Sequence, residues 1–137
     1  MTFSIIGLGG RGYGMMRGIS KHPEGEVVAV CDEYQDRIDR AIGYLNERFD
    51  YKVVGDVDYK KILELEGLEA IYVATAWESH IRIAIEALEK GIPTALEVGG
   101  AYSMDELHEM GFKVMLWVTP LISPDSDCFR ELRNTNY

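Results

Sequence analysis

The chain has 137 residues and a mass of 15.5 kDa, with 47% hydrophobic and 27% charged residues, the size and balance of one globular domain; disorder and a disulfide scaffold are excluded. With 23 acidic against 14 basic side chains the net charge is -9, which disfavours a nucleic-acid or membrane-surface partner. Two cysteines and an opening without a charged and apolar leader pattern predict a reduced, cytoplasmic protein, and no apolar stretch approaches the roughly 20 residues of a membrane span.

In chain order, Thr2 to Ile6 reads as a strand, followed by a glycine-rich turn and a helix ending near Gly18 to Ser20. The unbroken apolar run Val27 to Cys31 predicts a strand buried on both faces. Ile38, Ala41, Ile42 and Leu45 fall at helical spacing and predict a helix over 35–48. Lys52 to Val54 reads as a third strand, Asp58 as the N-cap of a helix through Leu65, and Ala70 to Ala74 as a fourth strand. Ile81, Ala84, Ile85 and Leu88 mark another helix, with Gly91 at its C′ position, and Thr94 to Val98 a fifth strand. Ser103 and Glu106 form a capping-box pair. Beyond Leu107 the rhythm changes: Val114 to Val118 predicts one further short strand, and a loose tail with a helical piece around Phe129 to Arg133 follows. Alternation of this kind predicts an α/β fold with a doubly wound parallel sheet of Rossmann type.

The chemistry concentrates in two places. Gly7-Leu8-Gly9-Gly10-Arg11-Gly12 matches G-x-G-x-x-G, follows a predicted strand, opens a predicted helix and precedes Asp32 at the end of the second strand. That context points to a dinucleotide: Gly7 for the tight turn, Gly9 for close approach to a pyrophosphate, Gly12 for helix-to-strand contact, and Asp32 to accept from a ribose hydroxyl. A carboxylate there favours NAD over NADP; Arg37 folded back over the adenosine would reverse that preference, but at the start of a charged helix face it is expected to be solvated. The second place is Ala74 to His80, at the carboxyl end of the fourth strand, where open α/β sheets bind ligands. Trp77 reads as a lid or a surface aromatic, His80 as a site residue or part of a helix start. Glu97 either points into the same crevice or caps the turn Gly99-Gly100. The candidate cofactor-binding set is Gly7, Gly9, Gly10, Arg11, Gly12, Asp32, Thr75, Trp77, His80 and Glu97. No metal-ligand spacing occurs and no catalytic residue is assigned.

The opening Ile6 to Gly12, Val30-Cys31-Asp32, Ala74 to His80 and Glu97-Val98-Gly99-Gly100 together resemble the N-terminal domain of the Gfo/Idh/MocA oxidoreductases over residues 1–107. The resemblance implies an NAD(P)-dependent enzyme acting on sugars or polyols, with a second domain supplying the substrate pocket, so that the chain by itself is expected to be incomplete and inactive. Many members carry Glu-Lys-Pro where this chain has Glu97-Val98-Gly99, and their lysine is the usual contact near the nicotinamide. With Val98 there, the sequence looks more like the subgroup containing NAD-dependent glycosidases than an ordinary alcohol dehydrogenase. Met110 to Ser126 resembles one strand and loop of the glycoside hydrolase family 31 barrel, whose catalytic aspartates have no counterpart here. The expectation is a chimera joined near Leu107 or His108, with 108–137 as a glycosidase-like fragment that adds one strand to the sheet. The alternatives are a noncatalytic binding module and a family 31 glycosidase fragment.

Overall fold

A computed structural model of the chain describes residues 1–98 and 103–109. The strand expected at 114–118, the helical piece at 129–133, the family 31-like segment and the Gly99-Gly100 turn lie outside the described residues.

The order is β1 (Thr2–Ile6), α1 (Gly10–Ile19), β2 (Glu26–Cys31), α2 (Gln35–Asn46), β3 (Val54–Asp56), α3 (Tyr59–Ile62), β4 (Ala70–Val73), α4 (Trp77–Glu89) and β5 (Thr94–Leu96). The strands form one parallel sheet in the order β3-β2-β1-β4-β5. The chain winds outward from β1 in one direction and, after α3, outward from β4 in the other. The order therefore reverses between β1 and β4, and a ligand crevice opens beyond their carboxyl ends.

The apolar strands follow from burial on both faces. Ile5, Val30 and Tyr72 pack with Met16 of α1 and Ile38, Ala41 and Leu45 of α2. Their neighbours Ile6, Cys31, Ile71 and Val73 turn the other way, onto Ile62 of α3 and Ile83 and Ala87 of α4. Alternation at these positions thus divides β1, β2 and β4 between two cores, as a doubly covered parallel sheet requires. Leu45 is fully buried, and Leu45→Ala is expected to cost about 2–5 kcal/mol of stability in a urea melt.

Local signals set the helix ends. Asp58 accepts the Lys60 N–H at 3.0 Å and caps α3, but α3 stops at Ile62, short of the expected Leu65. Gly91, at φ +75°, ends α4 with its N–H on Leu88 O, while Ile92 N–H returns to Ala87 O, both at 2.9 Å; this paired return is a Schellman motif. Glu106 N–H donates to Ser103 Oγ at 3.1 Å and Ser103 N–H to Glu106 Oε2 at 3.2 Å, completing the capping box of a helix over 104–109. One strand moved. The sequence places β3 at Lys52 to Val54, but β2 pairs Ala29, Val30 and Cys31 with Val54, Gly55 and Asp56. Val53 is buried as the lead-in to that strand. Gly55 and Asp56 are weak strand formers, so pairing with β2 rather than local propensity sets the register.

Candidate functional site

The glycine turn is built by contact. Gly7 has φ +95°, and a Cβ there would stand 2.6 Å from the carbonyl carbon and oxygen of Ala74 and 2.7 Å from Thr75 N. A Cβ on Gly12 would lie 1.8 Å from Gly7 O. Neither position admits a side chain without moving backbone. Gly9 and Gly10 differ, because a Cβ on either would meet nothing within 4 Å. Gly9 is also the N-cap of α1 and offers no side chain to its first turn. The N-terminal amides of α1 therefore carry the positive end of the helix dipole with open space above them, which suits a phosphate.

Beside this turn lies a cavity of about 520 Å³ at the carboxyl ends of β1, β2 and β4. Gly7, Gly9, Asp32 and Thr75 of the candidate set line it, together with Tyr34, Arg37, Val57, Asp58, Tyr59, Ser79 and Arg82. Asp32 is buried, with Oδ2 accepting the Leu8 N–H at 2.6 Å and Oδ1 the Tyr34 N–H at 3.0 Å. It joins the end of β2 to the glycine turn. Arg37 is not free in solvent as its sequence position suggests: its Nη1 lies 3.3 and 3.4 Å from the two Asp32 oxygens, and its guanidinium sits 4.5 Å from the Tyr34 ring centroid. The buried carboxylate and the aromatic face hold the guanidinium over the site while the Arg37 side chain stays 41% exposed.

The remaining candidates separate. Gly10 opens α1 and Gly12 is packed beneath Gly7. Trp77 is 56% exposed at the start of α4 and does not line the cavity. His80 is turned inward and only 1% exposed, with Nε2 2.9 Å from Thr75 O. Arg11 and Glu97 bind each other, Nε to Oε1 at 2.7 Å, and Glu97 Oε1 also accepts from the Tyr72 hydroxyl. Tyr72 faces the α1 side of the sheet, so this trio sits apart from the cavity lining. Tyr59, Arg82 and Val57 were not singled out from the sequence. Their only signal there is position, since Val57 and Tyr59 follow β3 and Arg82 lies within α4 without any motif.

Hydrogen bonds from Tyr72 and then Arg11 hold the Glu97 carboxyl below its ordinary range. A lowered folded-state pKa gives stability that is present above the unfolded value of about 4.3 and is lost as the pH falls through the lower folded value. Glu97→Gln is expected to be less stable than the native chain at pH 7, with the gap narrowing as the pH falls below about 4, as read from urea melts. Cys31 lies beneath the cavity, 3% exposed, and burial, followed by the charge of Asp32, pushes its thiol up to about 12. Iodoacetamide at pH 8 is expected to label Cys31 only after unfolding, as peptide mass spectrometry would show.

Among the described residues no cluster suits a metal ion and no helix is long and apolar enough to cross a membrane. Residues 1–111 match the Gfo/Idh/MocA family, described as an oxidoreductase family with an NAD-binding Rossmann fold. A glycosyl hydrolase family 109 protein of Porphyromonas gingivalis is 32% identical over 115 residues, covering 80% of this chain and 24% of that protein. The fold is also similar to myo-inositol 2-dehydrogenase from Lactobacillus plantarum, with a TM-score of 0.76 at 22% identity over 85% of this chain and 33% of that one. Myo-inositol dehydrogenase from Lactobacillus casei, solved with NAD(H) and myo-inositol, gives 0.76 at 18% identity with the same coverage. The chain spans about a quarter of the length of the curated relatives it matches. The relative named above carries a family 109 name, and a family 31 segment at 110–126 finds no support in it.

Proposed function

Because the chain belongs to the Gfo/Idh/MocA oxidoreductase family through its NAD-binding Rossmann domain, we propose that it holds NAD(H) in the cavity beside the glycine turn. The observation that carries this reading is the contrast within the turn: Gly7 and Gly12 are closed by backbone contact while Gly9 and Gly10 face open space at an uncapped helix start. The amides there would take the pyrophosphate, Asp32 the adenosine ribose, and Tyr34, Val57 and Arg82 would wall the adenine. Thr75 would lie toward the nicotinamide, with Trp77 above it. Arg11, Glu97 and His80 would support the turn rather than touch the ligand. When bound, the nicotinamide ring supplies a hydride donor or acceptor. Asp32 favours NAD, since its carboxylate accepts from a 2′-hydroxyl and repels a 2′-phosphate. Arg37 offsets part of that repulsion by bonding the same carboxylate.

At the level of the whole protein, we assign the domain, residues 1–107, to a cytoplasmic carbohydrate-directed enzyme, with 108–137 as a separate segment. The family 109 names of its relatives support a glycoside as substrate, and Val98 in place of a lysine supports the same subgroup. A sugar or polyol pocket would come from a second domain, and neither nucleic acid nor membrane is a partner in this reading. Val98 also favours a second reading, a cofactor-binding module with no turnover of its own. Calorimetric titration with NADH and NADPH tests the first: saturable one-site NADH binding at least about tenfold tighter than NADPH is expected. No heat from folded protein, or tighter NADPH binding, would contradict it. Absorbance at the nicotinamide band with candidate sugars then separates turnover from binding alone.

A further inference from the structure

His80 stands behind the site. Its ring is 1% exposed, and Nε2 lies 2.9 Å from the carbonyl oxygen of Thr75, five residues back and across the start of α4. A carbonyl only accepts, so Nε2 carries the proton and donates it. Nδ1 is buried with no hydrogen-bond partner. The ring is therefore anchored at a single point, the last turn of backbone before α4.

That backbone is the surface on which the glycine turn rests. Gly7 is pressed against the Ala74-Thr75 peptide so closely that a Cβ would overlap it, and Gly12 is pressed against Gly7 O in turn. The strand ends lock the same layers: Ala74 N–H donates to Ile6 O and Gly7 N–H to Cys31 O, each at 2.8 Å. A second bond closes the loop from outside, where Ser79 Oγ lies 2.8 Å from Thr75 Oγ1. Close-packed backbone layers transmit displacement instead of absorbing it.

We infer that His80 is a positioning residue for the glycine turn: by holding the Thr75 carbonyl it fixes the Thr75-Ala76 peptide and, one residue back through the Thr75 backbone, the Ala74-Thr75 peptide against which Gly7 packs, and with it the place of the open amides at the start of α1. The inference rests on the dinucleotide reading above for its consequence in binding, but not for the positioning itself. Its ligand class is the dinucleotide, which His80 never touches.

The test compares the full chain with His80→Leu, which keeps bulk and loses the donor, and His80→Gln, whose side-chain amide can donate in place of Nε2. In His80→Leu, amide exchange at Gly7, Leu8 and Ala74 is expected to speed up about tenfold or more while the β2 amides of Val27 to Val30 keep their protection. NADH affinity is expected to fall about tenfold, and His80→Gln to restore most of both losses. Unchanged exchange at the three turn amides would overturn the inference. Equal losses in Leu and Gln variants, or loss of protection across the whole sheet, would also overturn it by assigning His80 to bulk packing. If the native chain binds no NADH, the cofactor reading fails while the exchange comparison still decides the role of His80.

Discussion

Gly12→Ala is expected to abolish measurable NADH binding and to lower unfolding stability by about 3 kcal/mol, near the upper end for overpacking. The added Cβ would stand 1.8 Å from Gly7 O and 2.9 Å from Gly7 C. Both atoms are backbone, so no rotamer change relieves the overlap. Either α1 lifts from β1 or the turn swings away from the Ala74-Thr75 peptide, and each movement carries the open amides of Gly9 and Gly10 out of place. Gly14→Ala is the internal control. Gly14 lies in the same helix with nothing within 4 Å of its Cβ position, so alanine is expected to stabilise by about 0.5–1 kcal/mol and leave affinity unchanged. Thermal melts and NADH titration of the two variants read both effects. Comparable losses in both would show that helix α1 tolerates no added methyl, and that Gly12 has no special contact.

Asp32→Ala is expected to weaken NADH binding about a hundredfold and NADPH binding much less, so that the preference between them narrows or reverses. Two costs combine. The Leu8 N–H loses its acceptor in a buried place, worth about 1–3 kcal/mol, and a ribose hydroxyl loses its partner. Arg37 is released from Asp32 and becomes available to a 2′-phosphate. Asp32→Asn separates the terms, since its amide oxygen can still accept from Leu8 N–H while the charge is gone. Its NH2 takes the place of Oδ1, so the Tyr34 N–H and Arg37 lose that acceptor; the variant is expected to lose less stability than Asp32→Ala and still lose discrimination. Equal weakening of NADH and NADPH by both variants would confine Asp32 to a structural role.

The topology was legible because the sheet is covered on both faces. Val27 to Cys31 and Ala70 to Val73 are apolar at every position, and Val30 and Tyr72 pack into one core while Cys31, Ile71 and Val73 pack into the other. The glycine turn was legible for a related reason: Gly7 and Gly12 are dictated by overlap that any side chain would create. Where long-range contact decides, the sequence was less informative. Pairing with β2 carries β3 two residues beyond its apolar signal, onto Gly55 and Asp56.

The site divides along the same line. Position along the chain places Thr75 and His80 after β4 and Glu97 after β5, at neighbouring strand ends, but cannot say which way each turns. Burial takes His80 inward, and Tyr72 and Arg11 draw Glu97 to the α1 face. Arg37 was read as solvated because nothing local marks its partner, which is a carboxylate five residues earlier that only the fold buries. Tyr59 and Arg82 come together, 5.9 Å from ring centroid to guanidinium carbon, from different helices. No spacing rule anticipates such a pair.

Amide chemical-shift mapping of the labelled chain during NADH titration tests the central claim most directly. Saturable shifts are expected at Leu8 to Arg11, Asp32 to Arg37, Val57 to Tyr59 and Thr75 alone, with the apolar groove at Phe3, Ala70 and Ala95 unmoved. Shifts centred on that groove, or none at saturating NADH in a folded sample, would contradict it.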